Sequence, residues 1–152
     1  MTDKIRVMLV DDHAMVRQGL STFLMLHDDI EIVGMAGGGT EALEILESHR
    51  PDVILMDLIM PDMNGVDVIR EIRKHYSDKV IIALSSFSDK ELVRSALEAG
   101  ANGYLLKDIS GNELANAIRK AYAGQPALSD AATKSLMESV AQSSKISPFE
   151  LS

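Results

Sequence analysis

Short apolar runs alternate with segments of helical periodicity along this chain. The short runs are rich in β-branched and aliphatic residues, which predicts buried strands at Ile5–Val10, Ile30–Val33, Val53–Met56, Val80–Leu84 and Gly103–Leu106. Apolar residues spaced three and four positions apart predict an amphipathic helix after each strand, near His13, Thr40–His49, Val66, Leu92 and Leu114. Five strand–helix units therefore follow one another.

Strict alternation of this kind is typical of an α/β protein with a parallel sheet and helices on both faces. Right-handed crossovers leave only a few doubly wound strand orders, and we expect a five-stranded sheet in the order 2-1-3-4-5. Arg50 should end the second helix, since a residue before proline disfavours helical conformation. Gly100 is the predicted C-terminal cap of the fourth helix.

The pattern changes after Gly124, and we expect the α/β domain to occupy residues 1–124. Gln125-Pro126 breaks the alternation, and Ser129 is a suitable N-cap for a helix at about 129–142. Ser143-Ser144-Lys145 is typical of a linker, so residues 125–145 are predicted to connect two domains. Residues 146–152 are too few to fold alone.

Composition narrows the class of protein. The 152 residues include 46% apolar and 25% charged positions, which is ordinary for a globular domain. The absence of cysteine excludes disulfides, thiolate metal sites and cysteine nucleophiles, and it fits a reducing cytosol. No apolar run reaches the length of about 18 residues that a transmembrane helix needs, so no membrane contact is expected.

The formal net charge of −8 changes the expected partners. Proteins that bind the nucleic-acid backbone normally carry a basic stripe, so these residues alone are a poor candidate for DNA binding. An acidic balance indicates cations or basic partners instead.

Five polar side chains follow predicted strands and should meet at one edge of the sheet. Asp11 and Asp12 follow the first strand, Asp57 the third, Ser85 the fourth and Lys107 the fifth. In the proposed strand order this edge lies at the topological switch point, where ligands bind in open α/β sheets.

The carboxylates, hydroxyl and amine of this site indicate cation binding and phosphoryl transfer. Clustered carboxylates raise one another's pKa, and a divalent cation relieves the repulsion; oxygen ligands suit Mg²⁺. A carboxylate can also act as a nucleophile toward a phosphoryl group. Lys107 and Ser85 would then supply a cation and a hydroxyl donor to the added charge.

Each of these residues also has an ordinary explanation when it is considered alone. A single Asp after a strand is usually a turn former or helix cap, Ser85 a turn hydroxyl, and Lys107 a solvated surface residue. Their convergence at one edge favours the functional interpretation. His13 follows the acidic pair as a conceivable metal ligand, but we interpret it as an exposed residue of the first helix's opening turn. The glycine run 37–39 lacks the lysine of a phosphate-binding loop.

Four motifs in order resemble the receiver domain of bacterial two-component response regulators. They are Val10-Asp11-Asp12-His13, Met56 to Gly65, Ala83-Leu84-Ser85-Ser86 and Gly100 to Lys107, and the similarity spans about residues 5–124. The Asp-Asp-His opening and the Gly-Tyr-Leu-Leu-Lys-Asp run are similar to the NarL/FixJ subfamily. The resemblance implies a flavodoxin-like receiver fold.

The resemblance also implies a role for each site residue. Asp57 would accept phosphate from a sensor histidine kinase, and Lys107 would pair with the phosphoryl oxygens. Asp12, Asp57 and the backbone carbonyl of Ile59 would hold Mg²⁺, and Asp11 would complete the pocket through water. Ser85 would be the switch hydroxyl.

Tyr104 would be the aromatic switch that moves inward when Ser85 is drawn toward the phosphoryl group. Two positions depart from the common family pattern. The switch hydroxyl is often threonine, and many receivers have a proline after the lysine, where this chain has Asp108.

Residues 146–151, Ile-Ser-Pro-Phe-Glu-Leu, resemble the opening of a LuxR-type helix-turn-helix domain. We therefore expect a transcription regulator that contacts DNA only through that C-terminal domain, cut short in this chain, and that forms a homodimer on phosphorylation. A stand-alone receiver acting through protein contacts is the alternative. An aspartyl-phosphate phosphatase of the haloacid dehalogenase type would need an acid at the position of Ile59, so we expect no enzyme.

Overall fold

The computed structural model describes residues 3–138, which form one parallel sheet flanked by helices. The elements in chain order are β1 Ile5–Val10, α1 Ala14–Leu24, β2 Ile30–Ala36, α2 Gly39–His49, β3 Val53–Asp57, α3 Gly65–His75, β4 Val80–Ser85, α4 Lys90–Ala99, β5 Gly103–Leu106, α5 Gly111–Tyr122 and β6 Ala127–Leu128. Residues 130–138 are also helical. The strand order is β2-β1-β3-β4-β5-β6, which confirms the predicted order of the first five strands.

A sixth strand extends the sheet beyond the predicted five. Gly103 pairs with Ala127 and Tyr104 with Leu128, in parallel register. Two residues directly after a proline carry too little periodicity to predict a strand. The helix that follows begins as expected, because the Ser129 hydroxyl accepts a hydrogen bond from the Ala132 amide at 3.1 Å. The remainder of the predicted helix, the linker at 143–145 and the segment 146–152 lie outside the described residues.

Each face of the sheet has its own apolar core. Alternate residues of β1 point to opposite faces, so Met8 packs in one core and Leu9 in the other. Helices α2, α3 and α4 cover the first core, together with Ala132 from the helix at 130–138. Helices α1 and α5 cover the second. This is the doubly wound arrangement, and it leaves the carboxyl ends of the strands uncovered along one edge.

Helix ends are set by local chemistry, and the first residues of α1 and α2 each differ by one position from the predictions. His13 is the N-cap of α1, which starts at Ala14. Helix α2 starts at Gly39 and ends at His49, and its C-cap is Arg50, whose φ of 46° lies in the left-handed region. Gly100, with φ of 120°, caps α4 as predicted.

Gly65 brings the start of α3 close to the end of β3. A Cβ atom at this position would lie 2.2 Å from the carbonyl oxygen of Asp57, so any larger residue would displace the β3 backbone. The glycine is therefore required by the close approach, and it fixes the loop that follows Asp57. Within residues 3–138 no helix is long and apolar enough to cross a membrane.

Candidate functional site

The strand register brings the acidic residues together. Val10 pairs with Met56 across β1 and β3, so Asp11 and Asp57 are the next residues along two adjacent strands. Both side chains are buried, and Asp57 is only 2% exposed. One ligand atom each from Asp11, Asp12, His13 and Asp57 lies within 4.8 Å of the others.

Strands β4 and β5 contribute the remaining predicted groups. Ser85 ends β4 and pairs with Leu106, so Lys107 is the first residue beyond β5. The Lys107 amide donates to the Ser85 carbonyl at 2.9 Å, which continues the ladder past the end of the strand. All five predicted side chains therefore lie at the same edge of the sheet.

Lys107 bridges two carboxylates. Its Nζ lies 3.0 Å from Oδ2 of Asp11 and 3.1 Å from Oδ1 of Asp57. Burial lowers the pKa of Lys107, but the hydrogen bonds and charges of Asp11 and Asp57 outweigh burial and raise it overall. The lysine is therefore a fixed positive charge beside the two buried carboxylates.

Asp57 is less well compensated than Lys107. Burial and the neighbouring charge of Asp11 raise the pKa of the Asp57 carboxyl, and the contacts with Lys107 only partly oppose them. The Ile59 amide donates to Oδ1 of Asp57 at 3.3 Å. Oδ2 of Asp57 has no hydrogen-bond partner among residues 3–138. A buried carboxylate oxygen without a partner is costly and points to a ligand.

The donor set fits a divalent cation. The cluster holds three carboxylates, and the Lys107 ammonium group contacts two of them, so the negative charge exceeds the positive charge when all are ionised. Carboxylate oxygens are preferred ligands of Mg²⁺, which commonly uses one or two of them. The role of the Ile59 carbonyl in such a site stays a prediction.

Ser85 and Tyr104 are linked through the loop that follows β4. The Ser85 hydroxyl accepts a hydrogen bond from the Phe87 amide at 3.1 Å, and the Tyr104 hydroxyl donates to the Phe87 carbonyl at 2.5 Å. Tyr104 is completely buried, and burial raises the pKa of its hydroxyl. The expected inward movement of Tyr104 stays a prediction, and in this structure the ring already lies inside the core.

Two apolar side chains stand at the rim of the site. Ile59 and Phe87 are each 56% exposed, although both have large apolar side chains. Ile59 lies two residues after Asp57 and Phe87 two residues after Ser85. Neither offers a group that could take a proton or orient a water molecule by hydrogen bonding.

Two polar contacts near the site were not predicted from the sequence. Nδ1 of His13 lies 3.0 Å from Oδ1 of Asp11 and 3.2 Å from Oδ1 of Asp12. The second contact is made by Asp62, whose carboxylate accepts from the amides of Gly39 and Thr40 at 3.2 Å each. Gly38, the N-cap of α2, has no side chain that could accept a hydrogen bond from the first amides of the helix. The missing acceptor is the sequence signal that another residue caps this helix.

The contact with Asp62 also explains the glycine run at 37–39. The amides at the start of α2 are taken by a carboxylate of the loop that follows Asp57, and these hydrogen bonds lower the pKa of Asp62. The run therefore serves as a close contact between α2 and this loop. The Lys107–Asp108 peptide, like every other peptide bond of the described residues, is not cis.

Comparison with known proteins finds response regulators both among family models and among curated relatives. A family model described as the response regulator receiver domain matches residues 7–119. The chain is 48% identical over 124 residues to the transcriptional regulatory protein LiaR of Bacillus subtilis, covering 82% of this chain and 59% of LiaR. It is 42% identical to the response regulator protein VraR of Staphylococcus aureus, covering 80% and 58% respectively. The chain thus spans about three fifths of the length of these relatives.

Solved structures show the same relationship. A two-component response regulator of the LuxR family from Aurantimonas superposes with a TM-score of 0.86 at 30% identity, covering 91% of this chain and 99% of that chain. The signal receiver domain of the NarL regulator from Mycobacterium tuberculosis gives 0.78 at 35% identity, covering 82% of this chain and all of that chain.

Proposed function

This chain belongs to the family of response regulator receiver domains, and we propose that Asp57 is its phosphoacceptor, which receives the phosphoryl group from a sensor histidine kinase. The observation that carries the proposal is the asymmetry of the Asp57 carboxylate. Oδ1 contacts Lys107, while the buried Oδ2 has no hydrogen-bond partner among the described residues, which leaves its lone pairs uncommitted.

Transfer of the phosphoryl group from the kinase to Asp57 forms one bond to phosphorus and breaks another. Oδ2 of Asp57 forms a bond to phosphorus, the bond between phosphorus and the kinase histidine nitrogen breaks, and that nitrogen keeps the electron pair. The product is an acyl phosphate on Asp57. Lys107, already 3.0 to 3.1 Å from two carboxylates, pairs with the added charge.

Asp12 and Asp57 of this cluster would hold Mg²⁺ together with the carbonyl of Ile59, and Asp11 would complete the pocket through water. Bound there, the cation supplies positive charge that offsets the carboxylates and the phosphoryl oxygens. The excess of acidic groups over cationic groups at the site supports this assignment, as do three buried oxygens, one each of Asp11, Asp12 and Asp57, that have no hydrogen-bond partner among the described residues.

The response to phosphorylation would pass through Ser85. If the Ser85 side chain moves toward a phosphoryl oxygen to donate to it, the distance from its oxygen to the Phe87 amide increases, and Phe87 also accepts from Tyr104 through its carbonyl. A shift of this loop changes the surface around α4 and β5 and biases a dimer equilibrium. Sedimentation with and without a phosphoryl mimic tests this step; identical mass distributions over a wide concentration range would exclude it.

The output is proposed to be transcription regulation in the cytoplasm. Residues 1–124 would form the receiver, 125–145 a linker and 146–152 the start of a LuxR-type helix-turn-helix domain. Relatives named as transcriptional regulators, of which this chain covers about three fifths, support the proposal. The chain itself, with a net charge of −8, should show no salt-resistant, sequence-dependent gel shift.

The residues around Asp57 offer no group that would speed hydrolysis of the acyl phosphate. We therefore propose no enzyme activity toward small phosphate esters. The side chain two positions after Asp57 is Ile59, which cannot act as a general acid or base. A phosphatase of the haloacid dehalogenase type would need an acid there.

A beryllofluoride titration tests the proposed function. In the presence of Mg²⁺ we expect a saturable spectroscopic change in the wild type and in Asp67→Asn, which alters an exposed carboxylate on α3. Asp57→Ala should show no change. An equal response in the Asp57 variant would show that another group is the acceptor.

A further inference from the structure

His13 is the one nitrogen ligand in the cluster that could hold a cation. Its Nδ1 lies 3.0 Å from Oδ1 of Asp11 and 3.2 Å from Oδ1 of Asp12. The side chains of His13 and Asp12 are 63% and 22% exposed, so both can be reached by a cation from solvent.

Two hydrogen bonds hold the His13 backbone in position, and the contact of Nδ1 with Asp11 directs the ring. The His13 amide donates to Oδ1 of Asp11 at 2.8 Å, and the His13 carbonyl accepts from the Arg17 amide at 3.1 Å in the first turn of α1. His13 is therefore fixed between the end of β1 and the start of α1. Its ring is directed to the carboxylates without any movement of the chain.

The spacing of the three atoms matches a coordination shell. Two ligands at right angles around a cation about 2.1 Å away lie about 3.0 Å apart. Nδ1 of His13 stands at this separation from an oxygen of Asp11 and nearly so from an oxygen of Asp12. Oδ2 of Asp57, buried and without a hydrogen-bond partner among residues 3–138, provides a further unused ligand atom.

We infer that His13 supplies a nitrogen ligand to the divalent cation of this site, so that the site binds first-row transition cations such as Co²⁺ and Zn²⁺ more tightly than its carboxylates alone would. The inference rests on the proposed function, since it concerns the same cation site. Imidazole suits transition cations, whereas Mg²⁺ prefers oxygen. His13 therefore adds affinity for the former and little for the latter.

The competing role of His13 is a hydrogen bond that only positions the carboxylates. In that role Nδ1 carries a proton and donates to Asp11; as a ligand it carries none and the proton is on Nε2. Asparagine separates the two roles, because it is a good N-cap with an amide donor but has no imidazole.

The test compares Co²⁺ and Mg²⁺ binding to the full chain by calorimetry and, for Co²⁺, by its visible absorption. The variants are His13→Ala, His13→Asn and, as a matched control, His75→Ala, which removes an exposed imidazole beside a single carboxylate on α3. Thermal unfolding of each variant shows that it is folded.

We expect both His13 variants to bind Co²⁺ about tenfold or more weakly, with an altered absorption spectrum, while Mg²⁺ affinity changes less than about twofold. His75→Ala should match the wild type. Unchanged Co²⁺ affinity and spectrum in His13→Ala, full affinity in His13→Asn, or an equal loss for both cations would overturn the inference. Absence of Mg²⁺ binding in the wild type would instead contradict the proposed function.

Discussion

Lys107 lies close to one carboxylate oxygen of Asp57, with Nζ 3.1 Å from Oδ1, whereas Oδ2 has no hydrogen-bond partner among residues 3–138. Lys107 also contacts Asp11, so its single charge is shared between two buried acids. Asp57 is therefore only partly compensated, and the pKa of its carboxyl is raised by burial and by Asp11. The site that would receive the phosphoryl group is thus a source of instability in the fold.

We expect Asp57→Asn to raise the free energy of unfolding at neutral pH. A raised pKa means that the folded protein binds the Asp57 proton more tightly than the unfolded chain, so ionisation of this group destabilises the fold as the pH rises from about 3.9 through the folded pKa. The advantage of the variant should be complete above the folded pKa and vanish below about pH 3.9. Each kcal/mol corresponds to about 4 °C in the melting temperature of a domain this size.

Thermal melts of the wild type, Asp57→Asn and Asp67→Asn across this pH range check the expectation. Asp67 is exposed and serves as the matched control. An Asp57→Asn protein that is less stable than the wild type at neutral pH would show that the contact with Lys107 outweighs burial and Asp11.

Mg²⁺ should stabilise the fold in proportion to its binding. At a free concentration one hundred times the dissociation constant, binding to the folded state alone raises the free energy of unfolding by about 2.7 kcal/mol. Urea titrations at increasing Mg²⁺ measure this increase. The double variant Asp12→Asn with Asp57→Asn, which removes two charged ligands, should lose most of it; an undiminished increase would place the cation elsewhere.

Tyr104→Phe should weaken the loop that follows β4. The substitution keeps the buried ring but removes the hydroxyl that donates to the Phe87 carbonyl. Loss of a net hydrogen bond of this kind costs about 1 kcal/mol. Tyr122→Phe is the control, since Tyr122 is half exposed. Equal denaturation midpoints for the two variants would contradict the assigned contact.

The strand order and the meeting of the site residues follow from short-range patterns. Apolar runs locate five strands, and the carboxyl-edge rule then brings Asp11, Asp57, Ser85 and Lys107 together. The sixth strand depends on pairing of Leu128 with Tyr104, which no local pattern encodes. The contact of His13 with the acids depends on the direction of one side chain, which polar contacts with Asp11 and Asp12 set and sequence spacing does not reveal.

The helix caps also divide into those that a local sequence pattern predicts and those that depend on tertiary contacts. Ser129 precedes its helix and was predictable, because an N-cap acts within three residues. Asp62 caps α2 from a separate loop more than twenty residues further along the chain, so its role becomes visible only after the sheet has assembled.

The phosphoryl group on Asp57 should be long-lived in the absence of a partner phosphatase. Ile59 and Phe87 can exclude the attacking water but cannot orient it. We expect Ile59→Asn with Phe87→Glu to accelerate the loss of phosphate by about a hundredfold, because an orienting group or general base typically contributes that much or more.

Phosphate loss after removal of the donor is the measurement for this prediction. Met25 and Leu26, two exposed apolar residues that follow α1, provide the control pair Met25→Glu with Leu26→Asn. If the Ile59 and Phe87 substitutions leave the decay rate at the wild-type value, apolar shielding does not set the lifetime.

The most direct test of the account is covalent labelling by a small phosphodonor. Incubation with acetyl phosphate and Mg²⁺, followed by intact-mass analysis and peptide mapping, should show one phosphoryl group on Asp57 of the wild type. None should be found in Asp57→Asn or when Mg²⁺ is chelated. Equal incorporation in Asp57→Asn, or a phosphoryl group mapped to another residue of the wild type, would contradict the assignment of Asp57 as the acceptor.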